Sequence, residues 1–210
     1  MGLIVFAILL AFTLSLAAAP YLPDQLASHW DLNGLANGYQ SKIQFLWTMP
    51  MITLALALLL FFLPFIDPLK SGLQPVRIGY HFFIAAMLLF LDYIQALSIA
   101  YNLGFHFNLF AWMLPAFSLL MVGIGLLIDK VQPNWFVGIR TPWTLSSPSV
   151  WNKTHHLGGI LLKLTAVPIF LGVFFPNYAL WFLLVPLLGV AFFLVLYSYW
   201  LFQKEQTKPH

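Results

Sequence analysis

Six stretches of about 20 largely apolar residues constrain this chain more than any other feature of it. A helix needs roughly 20 such residues to cross about 30 Å of hydrocarbon. Residues 2–19, 44–66, 77–100, 107–128, 157–175 and 178–202 all qualify. Hydrophobic residues make up 61% of the 210 and charged residues only 7%, against about 25% charged in an ordinary soluble domain. This excludes a soluble globular domain, a disordered chain and a nucleic-acid binder with a basic face. The expected fold is all-α, a polytopic bundle of six transmembrane helices in direct contact with the lipid bilayer. Only Pro176 and Asn177 separate the last two stretches, which makes those helices antiparallel neighbours.

The first stretch ends in Ala17-Ala18-Ala19, the small-residue pattern of a secretory cleavage site. Two features oppose cleavage: no Lys or Arg precedes the apolar run, and Pro20 would follow the cut. A retained helix is therefore expected. The chain divides into residues 1–66 (helices one and two around a polar loop at 20–43), 67–128 (helices three and four), 129–202 (a second polar loop with helices five and six) and a tail at 203–210.

Charge placement sets an orientation. Alternate connections share a side of the membrane, and one side collects Lys70, Arg77, Lys130, Arg140, Lys153, Lys204 and Lys208 while the other holds Lys42 alone. Positive residues accumulate on cytoplasmic connections, so both termini are expected in the cytoplasm and the 20–43 loop outside. Lys163 lies near the start of helix five, within snorkelling reach of the cytoplasmic interface. Trp47, Tyr101, Trp181 and Trp200 fall near helix ends, where amphipathic rings anchor at the headgroups. There is no cysteine, so disulfides, thiolate nucleophiles and Cys-ligated metals are ruled out.

Two connections are far longer than a link requires, roughly 24 and 28 residues, and long ordered loops commonly carry function. The outer one holds Pro20 and Pro23, then His29-Trp30-Asp31, and two Asn-Gly pairs at 33–34 and 37–38 of the kind that make tight turns. It reads either as a hairpin-like cap anchored by Trp30 or as a recognition loop whose ligand-binding residues are His29, Trp30, Asp31 and Asn33. One His and one Asp fall short of the three or four ligands a metal usually takes; no metal or cofactor is called for. In the cytoplasmic loop, Ser147-Pro148 is an N-cap and first-turn pair. A helix starting there puts Trp151 and His155 on one face and Asn152 and His156 on another. Arg140, between Gly138 and Thr141-Pro142, is expected in a turn. Its planar fork suits carboxylate, phosphate or backbone carbonyls, so it either ties the loop down or binds a ligand.

The stretch at 133–155, with Asn134, Gly138-Ile139-Arg140-Thr141, Trp151, Asn152 and His155, resembles the signature of the SdpI family of bacterial integral membrane proteins. The outer stretch, with Leu22-Pro23, His29-Trp30, Asn33-Gly34 and Ser41-Lys42, resembles the uncharacterised module that often precedes it. The resemblance implies membership of a family named for an immunity protein against a secreted peptide toxin, a protein that also acts as a receptor holding a repressor at the membrane. It implies no catalytic residues.

Asp92 is the one acidic residue deep in a span, about 22 Å along helix three. Ionisable residues at such depth are functional candidates by default. His81 lies eleven positions before it, about 20° away around the helix, and Gln95 lies three after. His81, Leu88, Asp92 and Gln95 thus form an intramembrane polar stripe that should face the bundle. Asp92 either glues helices together or serves a ligand or proton site. A coarse symmetry accompanies this: each half has one helix, a long polar loop and two helices, as in inverted repeats.

Three functions follow in order. The first is an immunity or signal-transduction receptor with a peptide or envelope ligand outside and a repressor-type protein partner inside, helix three coupling the two, and no direct nucleic-acid contact. The second is a small proton-linked transporter using Asp92. The third is a membrane enzyme, for which His-Glu-x-x-His, Gly-x-Ser-x-Gly, paired carboxylates and Walker glycines are all missing from the sequence.

Overall fold

A computed structural model describes residues 1–31, 34–67 and 76–207. Six long apolar helices are candidate membrane spans. They are α1 (Gly2–Ala18), α2 (Lys42–Ile66), α3 (Arg77–Asn102), α4 (Leu109–Ile128), α6 (Pro148–Leu171) and α7 (Ala179–Gln206). A short α5 (Pro142–Ser146) lies in the connection between α4 and α6, and β1 (Gln25–Trp30) and β2 (Ala36–Ser41) fill the one between α1 and α2. The six spans expected from the sequence are present, and helix five begins at the Ser147 cap: Ser147 Oγ accepts from Val150 N, with Pro148 in the first turn.

The helices form two groups of three. α1, α2 and α3 pack together, α4, α6 and α7 pack together, and α3 meets α4 between them. The first group closes over Ala7, Ala57, Ile84 and Leu88, and this cluster continues through Leu127 and Val131 to Trp151. The second closes over Leu114, Met121, Ala166 and Ile169. Small residues set the closest approaches. α1 buries Ile4, Ala7, Ala11, Ser15 and Ala18, a stripe spaced so that backbones can approach. Gly125 of α4 faces Gly159 of α6, and a Cβ on either would lie 2.7 Å from the other's carbonyl oxygen. Outward, Leu58, Leu59, Phe62, Leu119, Leu188, Phe192 and Phe193 are exposed. An apolar exterior of this extent belongs in lipid.

The connection at 20–43 folds as an antiparallel hairpin. Its turn is built by Asp31: Asp31 N donates to Leu35 O at 2.9 Å, Gly34 N to Asp31 O at 3.0 Å, and Leu35 N to Asp31 Oδ1 at 2.8 Å. Gly34 takes φ +80° there, as the first Asn-Gly pair anticipates. The second pair does not turn. Asn37 and Gly38 run through β2, and Gly38 pairs with His29 at a bulge, because the His29 side chain needs the space a Cβ would fill, 2.9 Å away.

The hairpin is fastened to the bundle. Leu26 is fully buried against Ala18, Leu22, Phe45 and Ile99. The Asn102 amide, at the end of α3, acts as a third strand: its Oδ1 accepts from Ala27 N at 2.8 Å and its Nδ2 donates to Ala27 O at 3.0 Å. Lys42 Nζ donates to Leu22 O at 2.8 Å. Asn102→Ala orphans both Ala27 groups, and a buried unmade hydrogen bond costs about 1–3 kcal/mol. The expected result is faster amide exchange across 25–30 with the exchange of α4 and α6 unchanged; unaltered protection at Ala27 would contradict the docking.

Candidate functional site

The connection that follows α4 owes its shape to three side chains. Asn134 is fully buried and supplies all its amide hydrogen bonds to nearby main chain. Its Nδ2 donates to Gln132 O at 2.9 Å and Val137 O at 2.8 Å, while Oδ1 accepts from Phe136 N at 2.9 Å and Val137 N at 2.6 Å. Trp151 is fully buried, donates through Nε1 to Val131 O at 2.9 Å, and stacks on His155 with centroids 3.9 Å apart. His155 is the strut. Its Nε2 accepts from Ile139 N at 2.9 Å, so the ring proton sits on Nδ1, which donates to Trp151 O at 2.8 Å. Both ring nitrogens are thus taken up inside the fold, and neither is left for a ligand.

Gly138 makes room for this arrangement. It has φ +136°, and a Cβ there would collide with His155 Nε2 and sit 3.1 Å from the Trp151 ring. Next to it, Thr141 and Thr144 form a capping box that starts α5. Thr144 Oγ1 donates to Ile139 O at 2.8 Å, and Thr141 Oγ1 lies 3.0 Å from Ser198 Oγ on α7. Ser147 Oγ donates to Glu205 Oε2 at 2.5 Å. Arg140 is exposed; its guanidinium donates to the carbonyl oxygen of Trp135, itself half exposed. Asn152 is exposed on α6. His156 Nδ1 pairs with Asp129 Oδ1 at 2.7 Å. The motif residues Asn134, Gly138, Thr141, Trp151 and His155 therefore meet in one buried knot, and Arg140 and Asn152 stand outside it.

At the other end of the bundle the hairpin roofs a cavity of about 270 Å³. His29, Trp30 and Asp31 line it from above, Phe45 and Met49 from α2, Gln95 from α3 and Phe110 from α4. His29 is exposed, and its Nδ1 lies 2.5 Å from Asn37 Oδ1. Trp30 packs edge-on to Tyr101 at 5.3 Å, and its buried Nε1 has no hydrogen-bond partner among the described residues. Asn33 lies outside the described residues.

The stripe on α3 is only partly gathered. Leu88, Asp92 and Gln95 are buried on one face. His81 is half-buried near the start of α3, where it lines a cleft with Met1 and Ile4, and the buried place at that level belongs to Tyr80, whose hydroxyl donates to Leu60 O at 2.8 Å. Asp92 is 2% exposed and neither carboxyl oxygen has a partner among the described residues. Asn102, Thr144 and Thr53 escaped the sequence reading. Thr141-Pro142 followed by Thr144 carries a readable capping signal; Asn102 and Thr53 carry none.

Comparison with known proteins gives two family matches. Residues 130–198 match the SdpI/YfhL protein family, and residues 6–54 match a domain of unknown function (DUF1648). The protein named Immunity protein SdpI from Bacillus subtilis (strain 168) is 26% identical over 144 residues, which span 68% of this chain and 66% of that protein. No solved structure gives a significant match.

The knot makes a stability forecast. His155→Ala leaves Ile139 N–H buried without an acceptor and unstacks Trp151, and Gly138→Ala forces a strained φ into an occupied space; each is expected to cost about 1–3 kcal/mol. Arg140→Ala, at the surface, is expected to cost less than either. Thermal melting of the three variants in detergent checks the order, and a wild-type melting temperature for His155→Ala would remove the strut.

Proposed function

The chain is a membrane protein of the SdpI/YfhL family, and from that premise we propose that it works as an immunity-type receptor. The hairpin end recognises a peptide or envelope ligand outside the cell, the motif-loop end engages a repressor-type protein inside, and α3 couples the two. One observation carries this reading: the cavity under the hairpin is lined by Trp30 and Gln95, whose buried Nε1 and Oε1 have no hydrogen-bond partner among the described residues. An unmade donor and an unmade acceptor on residues that line a cavity suit a ligand with amide groups, which supplies both. His29 and Asp31 hold the hairpin in shape around it. At the opposite end, exposed Arg140 and Trp135 sit on a loop kept rigid by Asn134 and His155, which suits a docking surface.

Orientation follows from charge. Arg77, Lys130, Arg140, Lys153 and Lys204 belong to the motif-loop end and Lys42 to the hairpin end. The positive-inside bias puts the motif loop and both termini in the cytoplasm.

The absence of native cysteine makes a clean test. Ser28→Cys, at the cavity rim, is expected to react with a membrane-impermeant maleimide on intact cells, and Ser146→Cys only after permeabilisation. A photo-crosslinker attached at position 28 is expected to capture a peptide in native cells, and Trp30→Ala to abolish that capture. Arg140→Ala is expected to leave it intact while removing protein adducts from a crosslinker at position 146. Adducts to lipid alone at position 28 would sink the receptor reading.

The unpartnered Asp92 favours a second reading, a small proton-linked carrier. On that reading Asp92→Asn stops uptake into proteoliposomes; on the receptor reading there is no flux for it to stop.

A further inference from the structure

The interior of the α1–α2–α3 group changes chemistry along its length. Toward the motif loop it is apolar, with Ala7, Ala57 and Leu88 in one buried cluster. One turn nearer the hairpin on each helix stand Ala11, Thr53 and Asp92; a further turn brings Ser15 on α1 and Gln95 on α3. All five are buried, Thr53 and Ala11 completely. Gln95 Nε2 ties the two layers together, donating to Ala11 O at 3.1 Å and to Ser15 Oγ at 2.7 Å. That leaves four buried oxygens in two adjacent layers without a partner among the described residues: Asp92 Oδ1 and Oδ2, Thr53 Oγ1 and Gln95 Oε1.

No positive side chain answers them. α1 contains no Lys or Arg; α2 has only Lys42, which is bonded to Leu22 O, and α3 has only Arg77, fifteen positions from Asp92. A proton on Asp92 would settle one carboxyl oxygen and leave the rest. Among the described residues no three His, Asp or Glu side chains converge, so the set lacks the ligands that zinc or calcium requires. It offers one carboxylate and neutral oxygens, which is hard-donor chemistry for a single positive charge, and the sum is electrically neutral in hydrocarbon. Ala11 keeps bulk out of the layer. Gln95 and Met49 also line the cavity under the hairpin, which gives an approach from the hairpin end.

We propose that the Ala11–Thr53–Asp92 layer, with Gln95 above it, binds one monovalent cation of the sodium class, reached through the hairpin-end cavity. Asp92 supplies the charge, and Thr53 and Gln95 supply neutral oxygens. The site rests on burial and on the hydrogen-bond inventory of α1, α2 and α3; of its groups only Gln95 is shared with the receptor reading.

The test uses the purified full chain in detergent, melted by tryptophan fluorescence in NaCl, KCl or choline chloride at fixed ionic strength. Sodium is expected to raise the melting temperature saturably, by at least about 2 °C over choline. Asp92→Asn is expected to abolish the sodium-specific rise. Thr53→Val, which keeps shape and removes the oxygen, is expected to raise the half-saturating sodium concentration about tenfold. Equilibrium binding of radioactive sodium to the wild-type protein gives a second readout that needs no variant to fold. Identical melts in sodium and choline overturn the proposal, as does an Asp92→Asn protein with the wild-type sodium response. A melting temperature that responds to pH and not to sodium also overturns it, in favour of simple protonation.

Discussion

Inside a bilayer no water reaches the backbone, so every main-chain donor and acceptor must find its partner within the chain. Helices meet that demand by themselves. The two long connections lie beyond the spans, and where they bury main chain against the bundle each uses side chains that stand in for backbone. Asn102 offers Ala27 the donor and acceptor of a missing strand. Asn134 serves two carbonyls and two amides of its own loop. His155 accepts from Ile139 N and donates to Trp151 O. Amides and a neutral imidazole suit this work because each presents a donor and an acceptor at fixed spacing without charge. The polar residues that look functional in the motif are, for the most part, what allows irregular chain to sit against a hydrophobic bundle.

Against that background the exceptions stand out. Among the described residues, buried side-chain atoms without a partner belong to Trp30, Thr53, Asp92, Gln95 and Thr154. Thr154 stands apart on α6. The other four belong to the hairpin and the helices beneath it. A chain that satisfies a whole loop with one asparagine has the means to satisfy a threonine. A carboxyl, an amide oxygen, a hydroxyl and an indole N–H are thus open in one half of the molecule, and the ligand and cation sites proposed above are built on them.

Much of this was legible in the sequence, for identifiable reasons. Six spans follow from length and apolarity, which need no tertiary information. Ser147-Pro148 gave the start of α6, and four-residue spacing put Trp151 over His155. Other features depend on partners far away in sequence. Nothing near Asn37-Gly38 says that His29 will lie against Gly38 and carry the pair into a strand instead of a turn. The Asn102–Ala27 bonds join positions 75 apart. The stripe assigned by angle to His81 belongs at that end to Tyr80, because Tyr80 reaches the Leu60 carbonyl and helix angle alone cannot show that. Thr53 looks like any threonine in an apolar helix until its depth is matched to Asp92. The capping box of Ser41 and Gln44 was readable, and it moves the start of α2 to Lys42, two residues ahead of the apolar run.

The two ends of the molecule are joined by packing, which sets what a signal between them would require. Leu88, one turn below Asp92, lies in the same buried cluster as Ile84, Tyr80, Val131 and Trp151, and Trp151 stacks on the ring that holds Ile139. Contiguity of this kind is a route and not yet a coupling; coupling needs an element with two arrangements that both ends bias. The knot of Asn134, Gly138, Trp151 and His155 is a poor candidate for that element, since moving it breaks several buried hydrogen bonds together. Trp135 and Arg140 are a better one. Arg140 donates to Trp135 O at the surface and Trp135 N donates to Asp67 Oδ2 at 3.3 Å, so their hydrogen bonds lie outside the knot.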